Sequence, residues 1–177
     1  KEAGEVLAIT GKVLPMTLED VVLYAELEGG ITLKGESNIT EKNKDFKKRI
    51  KRVYIEPELS NPLDEAIEDI MQADLIIIGP GSLYTSIIPN LLVKNIAEAL
   101  SKTEARIYYV CNIMTQDGET DNYTVADHVE AINEHLGYDV IDKIVVNNDI
   151  IFKNIVEKYE QKPIYMSEKD TKKLNNY

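Results

Sequence analysis

The chain has 177 residues, 44% apolar and 29% charged, with a formal charge of −11 and a single cysteine. That size fits one domain able to bury roughly two-thirds of the surface its unfolded form exposes. One cysteine excludes an intrachain disulfide, no apolar run approaches a membrane span, and the negative charge argues against nucleic-acid backbones and anionic lipids as partners. A soluble chain in a reducing, cytoplasmic setting is the expectation.

In the first third, β-branched and apolar residues alternate with polar ones, which predicts strands over residues 6–9 and 21–27. Glu28-Gly29-Gly30, followed by Ile31, Leu33 and Gly35-Glu36, predicts an antiparallel hairpin turned at the double glycine. Residues 42–52 carry Lys42, Lys44, Lys47, Lys48, Arg49, Lys51 and Arg52 against Asp45 alone. This run reads as a solvated linker, with a local anion site as the alternative, and as a boundary between two sub-regions of one domain spanning residues 1–177.

From Val53 the pattern becomes alternating strands and helices, which predicts βαβ units and a parallel sheet covered on both faces. A short strand over 53–55 precedes a helix with Asn61 as N-cap, Pro62 at its first position, and Leu63, Ile67 and Ile70 at helical spacing as far as Gln72. The apolar run 75–78, closed by Gly79-Pro80-Gly81, predicts a central parallel strand. A helix over 91–100, a buried strand over 106–111, a helix over 124–136, a strand over 144–146 and a helix over 151–159 follow.

Two loops leave the carboxyl ends of apolar strands, where open α/β sheets bind ligands. In Gly79-Pro80-Gly81-Ser82-Leu83-Tyr84-Thr85-Ser86, glycines let backbone N–H groups approach phosphate or ribose oxygens, and Ser82, Thr85 and Ser86 add hydroxyls. The plainer reading is a tight connection whose Ser and Thr cap a helix. The loop has no Lys of a Walker motif, and the chain contains neither G-x-G-x-x-G nor G-x-S-x-G. The second loop, residues 112–120, gathers amides that can read a base edge, with Asp117 and Glu119 able to accept from ribose or hold hydrated magnesium. Its plainer reading is a polar turn at Asp117-Gly118. Thr124 and Asp127 are spaced as a helix-capping pair. His128 and His135, seven apart, are too far separated for a shared metal and read as structural or surface residues. Cys111 reads as a buried, inert thiol. Tyr84 reads either as a base-stacking ring or as a packed one.

Gly79-Pro80-Gly81-Ser82-Leu83-Tyr84-Thr85-Ser86-Ile87-Ile88-Pro89-Asn90-Leu91-Leu92-Val93 and Cys111-Asn112-Ile113-Met114-Thr115-Gln116-Asp117-Gly118-Glu119-Thr120 resemble signature stretches of the YvcK-like gluconeogenesis factors in the CofD-like (2-phospho-L-lactate transferase) family. Gly11-Lys12-Val13-Leu14-Pro15-Met16-Thr17, Gly35-Glu36-Ser37-Asn38-Ile39 and Asp127-His128-Val129 resemble further family stretches. The resemblance covers about residues 5–150.

The resemblance implies an α/β, Rossmann-like three-layer sandwich with a mainly parallel sheet and antiparallel strands in its N-terminal part. It also implies a non-catalytic regulator that binds a UDP-sugar and acts on carbon partitioning, cell-wall synthesis and cell shape, with cell-wall or metabolic proteins as partners. The alternative is the transferase branch, which moves a phospholactyl group from a guanosine diphosphate donor onto a deazaflavin with magnesium. The family's leading Gly-Gly-Gly-Thr-Gly type loop and Asp-Asp-Gly-Gly-Ser segment are absent here. The expectation is therefore the C-terminal part of a longer protein, with part of the nucleotide site missing and an uncovered sheet edge that favours a homo-oligomer. Under the binding reading, Gly79, Gly81, Ser82, Thr85 and Ser86 surround the diphosphate or its sugar. Asn112, Met114, Thr115, Gln116 and Glu119 surround nucleoside and ribose. No catalytic residue and no metal ligand are assigned.

Overall fold

The computed structural model describes residues 11–159 and 161–177. The strand expected over residues 6–9 lies outside the described residues. Strand β1 (Val22–Leu27) alternates half-buried and buried positions and sends Leu23, Ala25 and Leu27 inward. Gly29 (φ 88°) and Gly30 (φ 81°) turn the chain into β2 (Thr32–Lys34), which pairs antiparallel with β1 in the register Ala25↔Leu33. This is the hairpin the double glycine predicts.

The segment 42–52, expected as a solvated linker, instead contributes the C-terminal end of helix α1 (Glu36–Phe46) and the start of β3 (Ile50–Glu56). Strand β3 pairs antiparallel with the other side of β1, giving the order β2-β1-β3. The strand expected to open the βαβ array thus completes the antiparallel sheet. Helix α1 escaped the periodicity because its buried face carries Ile39 and Asn43, and Asn43 hides as a polar residue in the sequence. The Asn43 amide donates to Lys48 O (2.7 Å) and Gly118 O (2.9 Å), so two backbone acceptors stand in for apolar contacts. The anion-site alternative meets occupied cations: Arg49 binds Asp127 at 2.8 Å, and Lys51 and Arg52 both bind Glu26.

Helix α2 (Asp64–Gln72) ends where expected but starts after Leu63 rather than at Asn61. Glu19 captures Asn61 by accepting from both its backbone N–H and its amide, so Asn61 does not cap the helix. Strands β4 (Leu75–Ile78), β5 (Arg106–Val110) and β6 (Lys143–Val145) form a separate parallel sheet in the order β4-β5-β6. Strand β5 is therefore the central strand, and β4 lies at an edge. The helix expected over 91–100 is two pieces. A π-helical turn (Leu83–Ile87) runs into α3 (Ile88–Leu91), and Asn95 at φ 65° breaks the chain before α4 (Ile96–Lys102).

Helix α5 (Val125–Leu136) has the predicted cap: Thr124 Oγ1 accepts from Asp127 N, and Thr124 N donates to the Asp127 carboxylate at 2.8 Å. Helix α6 (Lys153–Tyr159) and the short α7 (Glu168–Lys173) follow. Asp170 of α7 is buried and accepts from Ala126 N at 2.9 Å, tying the C-terminal segment to the first turn of α5. One apolar cluster joins both sheets and α5, from Leu23 and Ile55 through Ile107 and Tyr109 to Val129 and Ile132.

Both histidines are structural. His128 is fully buried, bonds Thr124 O through Nδ1 and meets the Tyr123 ring edge-on. His135 bonds Ala131 O through Nδ1 and accepts from Val53 N at Nε2 (3.0 Å), a neutral tautomer that joins α5 to β3. Burial holds both imidazoles below their usual value.

Two outcomes follow. Thr124→Ala removes the α5 cap and lowers stability by about 1 kcal/mol in denaturant titration, against no change if the cap is idle. Because the folded chain refuses protons that the unfolded chain binds near pH 6.5, stability is full above that pH and falls on acidification through it. The melting temperature is expected to drop between pH 7.5 and 5.5, whereas a flat profile would show that the imidazoles titrate normally.

Candidate functional site

Strand β4 ends at Gly79, whose φ is 84° and whose missing Cβ would lie 3.0 Å from Val110 O on β5. Only glycine suits that left-handed turn pressed against a neighbouring strand. The next glycine is clamped from the second loop. Asn112 Oδ1 accepts from Gly81 N (3.3 Å), and its Nδ2 donates to Gly81 O (2.8 Å), so one side chain satisfies both polar groups of the glycine as a strand partner would.

Beyond the glycines, the chain turns around a buried carboxylate. Glu119 is 2% exposed, and its two oxygens accept four hydrogen bonds. Thr85 Oγ1, Thr40 Oγ1 and Gln116 Nε2 each donate to Oε1 at 2.8 Å, and Tyr84 N donates to Oε2 at 3.3 Å. The donors come from the first loop, from α1 and from the second loop itself. A buried carboxylate is tolerated only with such a set of donors, so the three segments are held at one point. Gly118, at φ 82°, completes the junction, because any Cβ there would collide with Thr40 O of α1.

The ten residues expected around a ligand therefore divide by where their polar atoms go. Thr85 is buried and spent on Glu119, and Gln116 donates to the same carboxylate. Thr115 is buried and pairs with the C-terminal segment: Thr115 N donates to Lys162 O, and Lys162 N donates to Thr115 Oγ1. Met114 is half-buried beside it, bridged through its backbone to Pro163. Asn112 is engaged with Gly81. Ser82 is half-buried and Ser86 exposed, and among the described residues neither hydroxyl has a protein partner.

Ser86 lies between two clefts. One, of about 320 Å³, runs along β4 past Gly79, Gly81 and Asn90. The other, of about 420 Å³, is bounded by Thr17, Glu36, Thr85 and Asn90. Met16, Ser86 and Asn90 line both. No motif in the sequence singles out Asn90 or Met16 as a site residue. The Asn90 amide donates to Ser86 O one helical turn back, an i, i+4 spacing that points to it only once the helical turn is known.

Tyr84 is packed. Its ring is 3% exposed, its hydroxyl meets that of Tyr123 at 2.8 Å, and burial pushes its phenol well above the usual range. Cys111 is buried, and burial pushes its thiol up to about 11, so it is no nucleophile at neutral pH. For magnesium, Glu119 has its oxygens occupied while Asp117 is exposed on the turn. Among the described residues no cluster of three or more His, Cys, Asp or Glu side chains could hold a metal. No helix among the described residues is long and apolar enough to cross a membrane.

Glu119→Gln places amide hydrogens against existing donors and is expected to lower stability by about 1–3 kcal/mol in denaturant titration. Ser86→Ala is expected to change it by less than about 0.5 kcal/mol. Equal effects would mean that Glu119 is not the junction of the loops.

The family described as 2-phospho-L-lactate transferase CofD matches residues 1–177. The gluconeogenesis factor of Bacillus subtilis is 54% identical over 159 residues, covering 90% of this chain and 49% of the relative. A putative gluconeogenesis factor of Clostridium acetobutylicum is 49% identical over 172 residues, covering 97% of this chain and 38% of the relative. A solved member of the UPF0052 family from Bacillus halodurans superposes with a TM-score of 0.87 at 44% identity, covering 98% of this chain and 56% of that one. The chain thus spans half or less of these curated relatives. With the whole chain matched and the fold shared at this identity, the protein belongs to the CofD family, alongside proteins named gluconeogenesis factors.

Proposed function

We propose that this chain supplies one wall of a UDP-sugar site in a cytoplasmic regulator of carbon metabolism, with cell-wall synthesis and cell shape among the processes it influences. The observation that carries the reading is a contrast within the first loop. Its backbone is locked by Asn112 and Glu119, while the Ser82 and Ser86 hydroxyls stay uncommitted and Ser86 lines both clefts. Such preorganisation lowers the ordering cost of binding. Hydroxyls and loop amides other than those of Gly81 and Tyr84, which Asn112 and Glu119 occupy, can hold a diphosphate without net positive charge, so the charge of −11 is no obstacle.

The names of the relatives support the role in carbon metabolism. In this reading Gly79, Gly81, Ser82 and Ser86 meet the ligand. Thr85, Asn112, Thr115, Gln116 and Glu119 hold the loops that present them, with Met114 on the second loop's flank. Residues 1–177 are part of a longer CofD-like domain whose remaining polypeptide completes the nucleotide site. Metabolic or cell-wall proteins are the partners of the whole protein.

The family's own description favours a second reading, a transferase using a nucleotide-activated donor and magnesium. Calorimetric titration separates the two, with UDP-N-acetylglucosamine and guanosine diphosphate each added, with and without magnesium, to this chain and to one extended to the length of its relatives. Uridine-selective binding by the extended chain, weakened at least about tenfold by joint Ser82→Ala and Ser86→Ala replacement, is expected. Guanosine-selective, magnesium-dependent binding would favour the transferase, and binding of neither would sink the nucleotide site.

A further inference from the structure

Residues 161–177 cross both the second loop and the start of α5, and a different kind of contact holds them to each. After Cys111 N donates to Val145 O, the chain leaves the parallel sheet, and residues 162–164 become its partner. Thr115 N donates to Lys162 O and Ile164 N donates to Ile113 O, both at 2.8 Å, on either side of the antiparallel bridge Met114↔Pro163. That arrangement makes Met114 and Pro163 a non-hydrogen-bonded pair, a position where proline, with no N–H to give, fits without loss. At α5 the contact is a carboxylate. Asp170 is 2% exposed, and its Oδ1 accepts from Ala126 N at 2.9 Å while its Oδ2 accepts from Ser167 N at 3.0 Å and from the Ser167 hydroxyl. One side chain thus closes the capping box of α7 and satisfies an N–H in the first turn of α5.

The rest of the attachment is slight. Within residues 161–177 only Ile164, Asp170 and Leu174 are buried, and the Lys162 contact to Asn122 and the Lys173 contact to Glu130 lie at the surface, where such bonds are weak. A segment with few buried apolar groups opens at a lower free energy than the whole fold. Its opening would strip the partner from residues 113–115, next to Asn112, whose amide clamps both polar groups of Gly81. We propose that residues 161–177 are a strap that opens and closes as a unit on the second loop, with Asp170 as its latch, and that its closure sets the glycine loop through Asn112. Asp170 is then a positioning residue. By linkage, a ligand that needs the set loop also favours the closed strap. That consequence rests on the site proposed above, whereas the coupling itself is read without ligand.

Amide hydrogen exchange of the full chain tests it, with Asp170→Ala to release the latch. A thiol pair, Met114→Cys with Pro163→Cys, serves as a staple, because a non-hydrogen-bonded antiparallel pair sets its Cα atoms about 4.5 Å apart, within disulfide range. Cys111 is buried and weakly ionised, so the introduced thiols are the reactive ones. In Asp170→Ala the expected result is at least about tenfold faster exchange at Thr115, Ile164 and Gly81, with the β1–β3 ladder unchanged. Oxidising the staple in the Asp170→Ala background is expected to return Gly81 to native protection, and reducing it to release Gly81 again. Unchanged exchange at Ile164 in Asp170→Ala would overturn the latch, and release of Ile164 with Gly81 still protected would overturn the coupling. Release of Gly81 that oxidation does not reverse would also contradict the proposal, because Asp170 would then act through α5 and not through the strap. Lost protection across the β1–β3 ladder would show that the segment belongs to the global fold and does not open alone.

Discussion

The arrangement depends on one buried carboxylate. Glu119 has four protein donors and is nearly closed to solvent, and those donors reach it from α1, from the loop after β4 and from its own loop after β5. A polar side chain taken out of water requires its hydrogen-bond partners in place, so each donating segment is constrained by the other two. This joins the antiparallel sheet, through α1, to the carboxyl end of the parallel sheet. The second contact across the same seam, Asn43 to Gly118 O, works in the same sense.

With that junction fixed, the first loop behaves as a scaffolded surface. Asn112 mimics a β-strand neighbour for Gly81, and Gly79 takes the one conformation that avoids β5. The polar residues of the second loop, which look by composition like a recognition surface, mostly face inward and serve the first loop. The side-chain groups left uncommitted in the first loop are the Ser82 and Ser86 hydroxyls, with Ser86 lining both clefts beside Met16 and Asn90.

Much of this was legible in the sequence where a local rule was strong. The Gly29-Gly30 hairpin and the Thr124–Asp127 cap each rest on neighbours in the chain, and each is where the pattern put it, whereas the apolar run of β4 is a parallel strand at the sheet edge rather than at its centre. Three of the misses share a cause, polar pairing that periodicity does not record. Helix α1 was hidden because its buried Asn43 finds acceptors at Lys48 and Gly118. The start of α2 shifted because Glu19 captures Asn61, and Glu119 looked like a ligand contact because its donors are 3, 34, 35 and 79 residues away. The family resemblance identified which loops matter but not which side chains in them are free.

Glu119 holds the glycine loop in its observed shape through Thr85 and the Tyr84 amide. Amide hydrogen exchange of residues 79–87 in the native protein and in Glu119→Ala tests it most directly. The Tyr84 and Gly81 amides are expected to exchange slowly in the native protein, and the substitution to release them while the β1–β3 ladder stays protected. Unchanged protection of the loop in Glu119→Ala would contradict it and leave the loop held by Asn112 and packing alone.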